Sequence, residues 1–152
     1  MTAKSVEHKI DPRSIMPAPT KCRFCHSDVE YTSHAKIYGG RTFSDWPYIY
    51  LCTNSACGAS VGVHEGTTHP LGTLADKPTK DARKEAHAQF DPLWKDKLMK
   101  REEAYSWLAK KLDIERWRCH ISWFDEDLAL KVAVLAAEKY LQLRARQQNG
   151  RR

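Results

Sequence analysis

The sequence predicts an α+β fold, a small β module followed by an α-helical half of about three helices, and two features carry the prediction. Four of the five cysteines fall in two closely spaced pairs within residues 21–63, among short stretches of β-forming residues. From residue 78 onward the apolar residues change to spacings of three and four, the period of an amphipathic helix. Charge follows the same division. Residues 1–77 carry eight Lys/Arg against seven Asp/Glu, a net of +1, and residues 78–152 carry seventeen against twelve, a net of +5. With 41% hydrophobic residues and five Trp in 152 residues, the chain can bury a modest core.

Four segments are expected: a leader over 1–20, the β module with its following loop over 21–77, a helical region over 78–148 and a basic tail over 149–152. The leader contains Pro12, Pro17 and Pro19 and no apolar stretch of signal-peptide length, so it reads as flexible. No run of about 18 apolar residues is present to span a membrane. On these features a reducing cytoplasm is the expected location, where cysteines serve as metal ligands more often than as disulfides.

The β module is read from Val29-Glu30-Tyr31-Thr32 and Tyr48-Ile49-Tyr50-Leu51, with Gly39-Gly40 as a turn between them. Two residues separate Cys22 from Cys25, four separate Cys52 from Cys57, and 26 lie between the pairs. A closed structural zinc site takes four thiolate or imidazole ligands in a tetrahedron. Two tight turns on separate hairpins supply four thiolates, so Cys22, Cys25, Cys52 and Cys57 are the expected ligands of one structural Zn2+ in a zinc-ribbon-like module. Gly58 suits the turn that follows Cys57. The four-residue gap of the second pair leaves room for His26 or His34 to replace a cysteine, and disulfides are the competing reading. A module of about 40 residues has too little core to fold alone, and zinc contributes on the order of 10 kcal/mol in its place.

Residues 64–77 form a Gly/Thr/Pro loop. Its hydroxyls and N–H groups are expected to pack against the zinc module, or else to cap the next helix or hold a phosphate. His64, Glu65, His69 and the downstream His87 invite a second metal site, but Thr68 stands where a helical His-Glu-x-x-His would need its second histidine. No Ser/His/Asp set and no phosphate-cradling glycine loop is found, so the chain is expected not to be an enzyme and to take no small-molecule substrate.

In the helical half, residues 79–90 place Ala82, Ala86 and Phe90 on one face, with Arg83, Lys84 and His87 to the side. Asp91-Pro92 reads as an N-cap with proline at the first helical position. One stripe then runs through Trp94, Leu98, Arg101, Tyr105, Leu108 and Leu112. Residues 113–124 form an aromatic connector in which Cys119 reads as a buried apolar residue, with ligation alongside His120 as the alternative. Asp125 caps a last helix running to about Gln148. Leu128, Val132 and Leu135 form one stripe on it, with Leu130, Val134, Ala137 and Leu141 beside them.

Taken together, Cys22-x2-Cys25, Cys52-x4-Cys57, HEGTTHPLGTLAD, AHAQFDPLW, AYSWLAKKL and CHISWFDED resemble a family of zinc-finger-containing proteins found largely in bacteriophages and prophages. The resemblance covers roughly residues 20–135. It implies a zinc fold and a phage accessory role inside the infected bacterium, and it implies no reaction. The residues after 136 fall outside it, so the basic stretch 144–152 is not interpreted through the family.

Two functions compete. Nucleic-acid binding rests on Lys21, Arg23, Lys36 and Arg41 among Tyr38, Phe43, Trp46 and Tyr48 around the cysteine pairs, with Arg83 and Lys84 from the basic half. Tyr38, Trp46 and Tyr48 also admit a reading as the ribbon's small core, the preferred one for Trp46. The alternative is a host-takeover or inhibitor protein that binds a bacterial host protein through Trp107, Trp117 and Trp123.

Overall fold

The structure, a computed structural model, describes residues 12–150. Residues 1–11 of the expected leader, and Arg151 and Arg152 of the expected tail, lie outside the described residues. The β-branched and aromatic residues flanking the glycine turn form three antiparallel strands in sequence order: β1 (Val29–Ser33), β2 (Tyr48–Cys52) and β3 (Ser60–Gly62). Val29 pairs with Cys52, Tyr31 with Tyr50 and Ser33 with Tyr48, while Tyr50 faces Val61 on the other side. This register puts Tyr31, Tyr48, Tyr50 and Cys52 on one sheet face and Ile49 and Leu51 on the other.

The helical half comprises α1 (Lys77–Phe90), α2 (Pro92–Lys95), α3 (Arg101–Leu112) and α4 (Glu126–Asn149). Asp76 begins α1 as its N-cap, accepting from Thr79 N–H at 3.1 Å and from the Thr79 hydroxyl at 2.6 Å. Ala82, Ala86 and Phe90 are buried as expected, and Ala129, Val132, Ala133 and Ala136 of α4 pack inward with them. Small residues on both helices permit this close packing.

Residues 91–112 differ from the single helix expected there. The chain leaves α2 at Asp96, turns through Lys97 in the left-handed region (φ 57°) and re-enters helix at Arg101. This turn buries Leu93, off the expected stripe, completely in the core. Asp91 makes no side-chain cap; its carboxylate meets His87 Nδ1 at 3.1 Å. Asp125 likewise precedes α4 without capping it, because its carboxylate pairs with Arg23.

Two hydrophobic clusters result. The helical one includes Phe90, Leu93, Leu108, Cys119, Phe124 and Val132. The other surrounds the cysteines with Tyr50, Ala59, Val61, Val63 and Leu74, and Trp46 packs against it. The loop 64–76 joins the two units. It bridges back to the module through Val63–Pro70 and Ser60–Ala75, and it meets the helical half where Ser122 O accepts from Thr73 N–H at 3.1 Å. Of the leader, Ser14 donates to Trp117 O at 3.4 Å, and Arg13 lies over the Trp117 ring.

Candidate metal centre

Two turns of similar construction present the four sulfurs. In the first, Cys22 N–H donates to Ser27 O and His26 N–H to Cys22 O, folding the chain back so that both thiols of the pair point to one side. In the second, Cys57 and Gly58 N–H both donate to Asn54 O at 3.0 Å, and Asn54 Oδ1 accepts from Ala56 N–H. Each turn closes on a left-handed residue just after its second cysteine: His26 (φ 64°) and Gly58 (φ 65°). The glycine adopts this conformation freely, whereas the histidine does so at a cost.

Cys22, Cys25, Cys52 and Cys57 bring their Sγ atoms within 4.8 Å of one another. Cys25 and Cys52 lie 3.4 Å apart, and Cys22 and Cys57 3.7 Å apart. A zinc tetrahedron with bonds of about 2.3 Å has sulfur–sulfur edges of about 3.8 Å, so one zinc ion fits the cluster. Among the described residues no other group of three or more ligating side chains converges. His26 serves the first turn through its backbone, and His34 accepts from Phe43 N–H at its Nε2. Cys119 is buried in the helical core, which pushes its thiol up to about 11.

Electrostatics around the sulfurs fits ligation. Phe24 N–H points at Cys22 Sγ at 3.4 Å, and the N–H groups of Ser27, Asn54 and Ala59 stand against Cys25, Cys52 and Cys57. Such donors stabilise thiolate around a metal. The Ser27 hydroxyl, 3.3 Å from Cys25 Sγ, together with Ser27 N–H lowers Cys25 to about 6. Burial pushes Cys52 up to about 12. Ala59 N–H lowers Cys57, but burial together with the neighbouring thiols outweighs it and the net direction is upward. Ser27, Asn54 and Ala59 were not singled out from sequence; their place just after a ligand is the signal that marks them.

The candidate cations are dispersed. Lys21 pairs with Asp28, Lys36 with Glu30 at 2.8 Å, and Arg23 with Asp125 while lying over the Phe24 ring. Arg41 and Lys84 are exposed without an ion pair among the described residues. Arg83 is a correction. It is buried, donating through Nε to Phe124 O at 2.9 Å and through its terminal nitrogens to Thr73 O and Thr73 Oγ1. Each of its three nitrogens is hydrogen-bonded inside the fold and the side chain is buried, so it is committed to the structure and not presented to a phosphate. Trp46 belongs to the module's core and donates to Thr67 O, but Tyr38 and Tyr48 are exposed. With Phe43 they surround the loop between β1 and β2, where His34, Tyr38 and Phe43 contact one another edge-on or tilted.

His64 and His69 flank one turn, with His64 N–H donating to His69 O, and burial lowers the His64 pKa. His87 sits on α1, paired with Asp91. Among the described residues no helix is long and apolar enough to cross a membrane.

A family model for a zinc-finger-containing domain, DUF3268, matches residues 18–139. No curated protein and no solved structure matches the chain. The matched span takes in all four cysteines and most of the helical half.

Proposed function

We propose that this chain, which belongs to the zinc-finger-containing domain family, is a nucleic-acid-binding accessory protein whose zinc ion holds the loop between β1 and β2 as a presenting surface for single strands. One observation carries this reading: Phe43 and Tyr38 are 70% and 50% exposed, and Arg41 lies between them in sequence, exposed and unpaired among the described residues. Exposed aromatic rings stack on unpaired bases at about 1–3 kcal/mol per base, and an adjacent guanidinium meets the backbone. Lys21, Lys36 and Arg23 pair with surface acids, and exposed pairs of this kind are worth under about 1 kcal/mol, so a phosphate can displace them. The role is binding, with no reaction assigned.

Fluorescence anisotropy with labelled single-stranded DNA and RNA tests the reading. Phe43→Ala is expected to weaken binding about tenfold, and Arg41→Glu to reduce the salt slope by about one. Neither residue is near ligation, so zinc content stays at one per chain. Absence of binding to every strand at about 50 mM salt removes the reading.

The second reading is a protein partner, favoured by Ile37, 39% exposed beside the same rings, and by the near-neutral zinc half. Binding that resists salt points to it. The resemblance to phage and prophage proteins supports placing either activity in the cytoplasm of an infected bacterium, where a host protein is the alternative partner.

A further inference from the structure

α4 carries two apolar stripes, and the fold uses one. Ala129, Val132, Ala133 and Ala136 are buried against the rest of the helical half. About a third of a turn around the helix, Leu130, Val134, Ala137 and Leu141 form a second stripe, in which the three large residues are 43%, 60% and 69% exposed. The stripe repeats at spacings of four, three and four, the seam of a two-helix zipper, and spans about 16 Å.

The residues bordering it are ordered in a way that selects a partner. Asp127 and Arg144 continue the seam at its two ends, and Lys131 and Glu138 border it along one side. All four are exposed; none makes an ion pair within the described residues, and Arg144 stacks on Tyr140. If a second α4 is laid antiparallel along this seam, Leu130 meets Leu141, Val134 meets Ala137, Asp127 meets Arg144, and Lys131 meets Glu138. Every contact then occurs twice, as two-fold symmetry requires. The small Ala137 opposite Val134 lets the helices approach closely. A parallel arrangement would instead place Asp127 beside Asp127 and Arg144 beside Arg144 along the seam, which repels.

We propose that the chain forms a two-fold homodimer through antiparallel pairing of α4, with Leu130, Val134, Ala137 and Leu141 as the seam and Lys131–Glu138 and Asp127–Arg144 as cross-chain ion pairs. The interface is at the small end of specific contacts, so a weak dimer is expected, with a dissociation constant on the order of tens of micromolar. The proposal does not depend on what the zinc module binds.

Sedimentation equilibrium of the full zinc-loaded chain from about 5 to about 500 µM, spanning that range, tests it. The parent is expected to pass from monomer to dimer, and Val134→Glu with Leu141→Glu to remain monomeric. Lys131→Glu and Glu138→Lys should each weaken the dimer about three- to tenfold, because each disrupts two symmetric pairs. Combined, the two substitutions restore complementary charges and should return the dissociation constant to within about twofold of the parent. All four positions are on the surface, and circular dichroism with zinc content verifies that each variant is folded. A parent that stays monomeric throughout overturns the proposal and assigns the stripe to another partner. A dimer unaffected by the glutamates, or a double exchange that does not restore it, also overturns the proposal.

Discussion

Cys25 and Cys52 lie 3.4 Å apart, yet their surroundings drive them in opposite directions, Cys25 to about 6 and Cys52 to about 12. At neutral pH the metal-free cluster therefore holds a thiolate at Cys25 and protons on Cys52 and on the raised Cys57. Zinc binds thiolate, so at least these two protons leave when it enters. The sign follows: lowering pH supplies the competing proton, and affinity falls. Between about pH 6.5 and 8 the logarithm of the zinc affinity should rise with a slope of two or more, steepening below about 6 as Cys25 also protonates. Titration against a chelator of known affinity measures this, and a slope under one would show that the ligands are already ionised. The spacing of the cysteines made these four ligands legible in the sequence, and Gly58 was legible as a turn. His26 was not, because a left-handed backbone requirement leaves no mark on a residue that also has ligand chemistry.

Among the elements, β1, β2, α1 and α4 follow from residue type and period, with bounds within a few residues of those expected. β3 is three residues long, too short for any alternation to register. The break between α2 and α3 was hidden for a different reason: Trp94, Leu98, Arg101, Tyr105, Leu108 and Leu112 keep helical spacing across it. What ends the helix is a tertiary demand. Met99 N–H donates to Leu93 O at 2.9 Å and the chain reverses, which carries Leu93 into a site with no exposure. A lysine then occupies the left-handed position at 97, a conformation that disfavours a Cβ by about 1 kcal/mol or more. Lys97→Gly should therefore stabilise the chain by about 0.5–1 kcal/mol, less the extra freedom glycine gains when unfolded, and raise the melting temperature by a few degrees. Calorimetry decides it. Unchanged or lowered melting would mean that the lysine side chain compensates for its own backbone.

At the scale of the whole molecule, two cores are joined by a narrow polar seam. Gly72 lies so close to the helical half that a Cβ there would stand 1.9 Å from Ser122 O. Arg83 closes the seam by binding Thr73 from the loop and Phe124 O from the connector. Burial lowers its pKa to about 10, so it remains a cation at neutral pH and is held by three acceptors. The sequence shows Arg83 only as one more basic residue on a basic helix, since nothing local marks which cation another segment will enclose. A metal-dependent and a metal-independent part are the expectation, because the cysteines and the helical stripes lie in different stretches of the sequence. The consequence can be tested on the full chain. The helical cluster is assembled from residues 82–136 and buries Phe90, Leu93, Leu108 and Val132 without contribution from the four zinc-site cysteines. The zinc cluster has no such reserve, because the metal would supply most of its folding energy. Chelation is thus expected to remove hydrogen-exchange protection across 21–63 while α3 and α4 keep theirs, with most of the helical circular dichroism signal retained. The start of α1 should show intermediate loss, because Arg83 forfeits Thr73 but keeps Phe124. Loss of protection throughout the chain in one step would mean that the seam couples the two cores into a single cooperative unit.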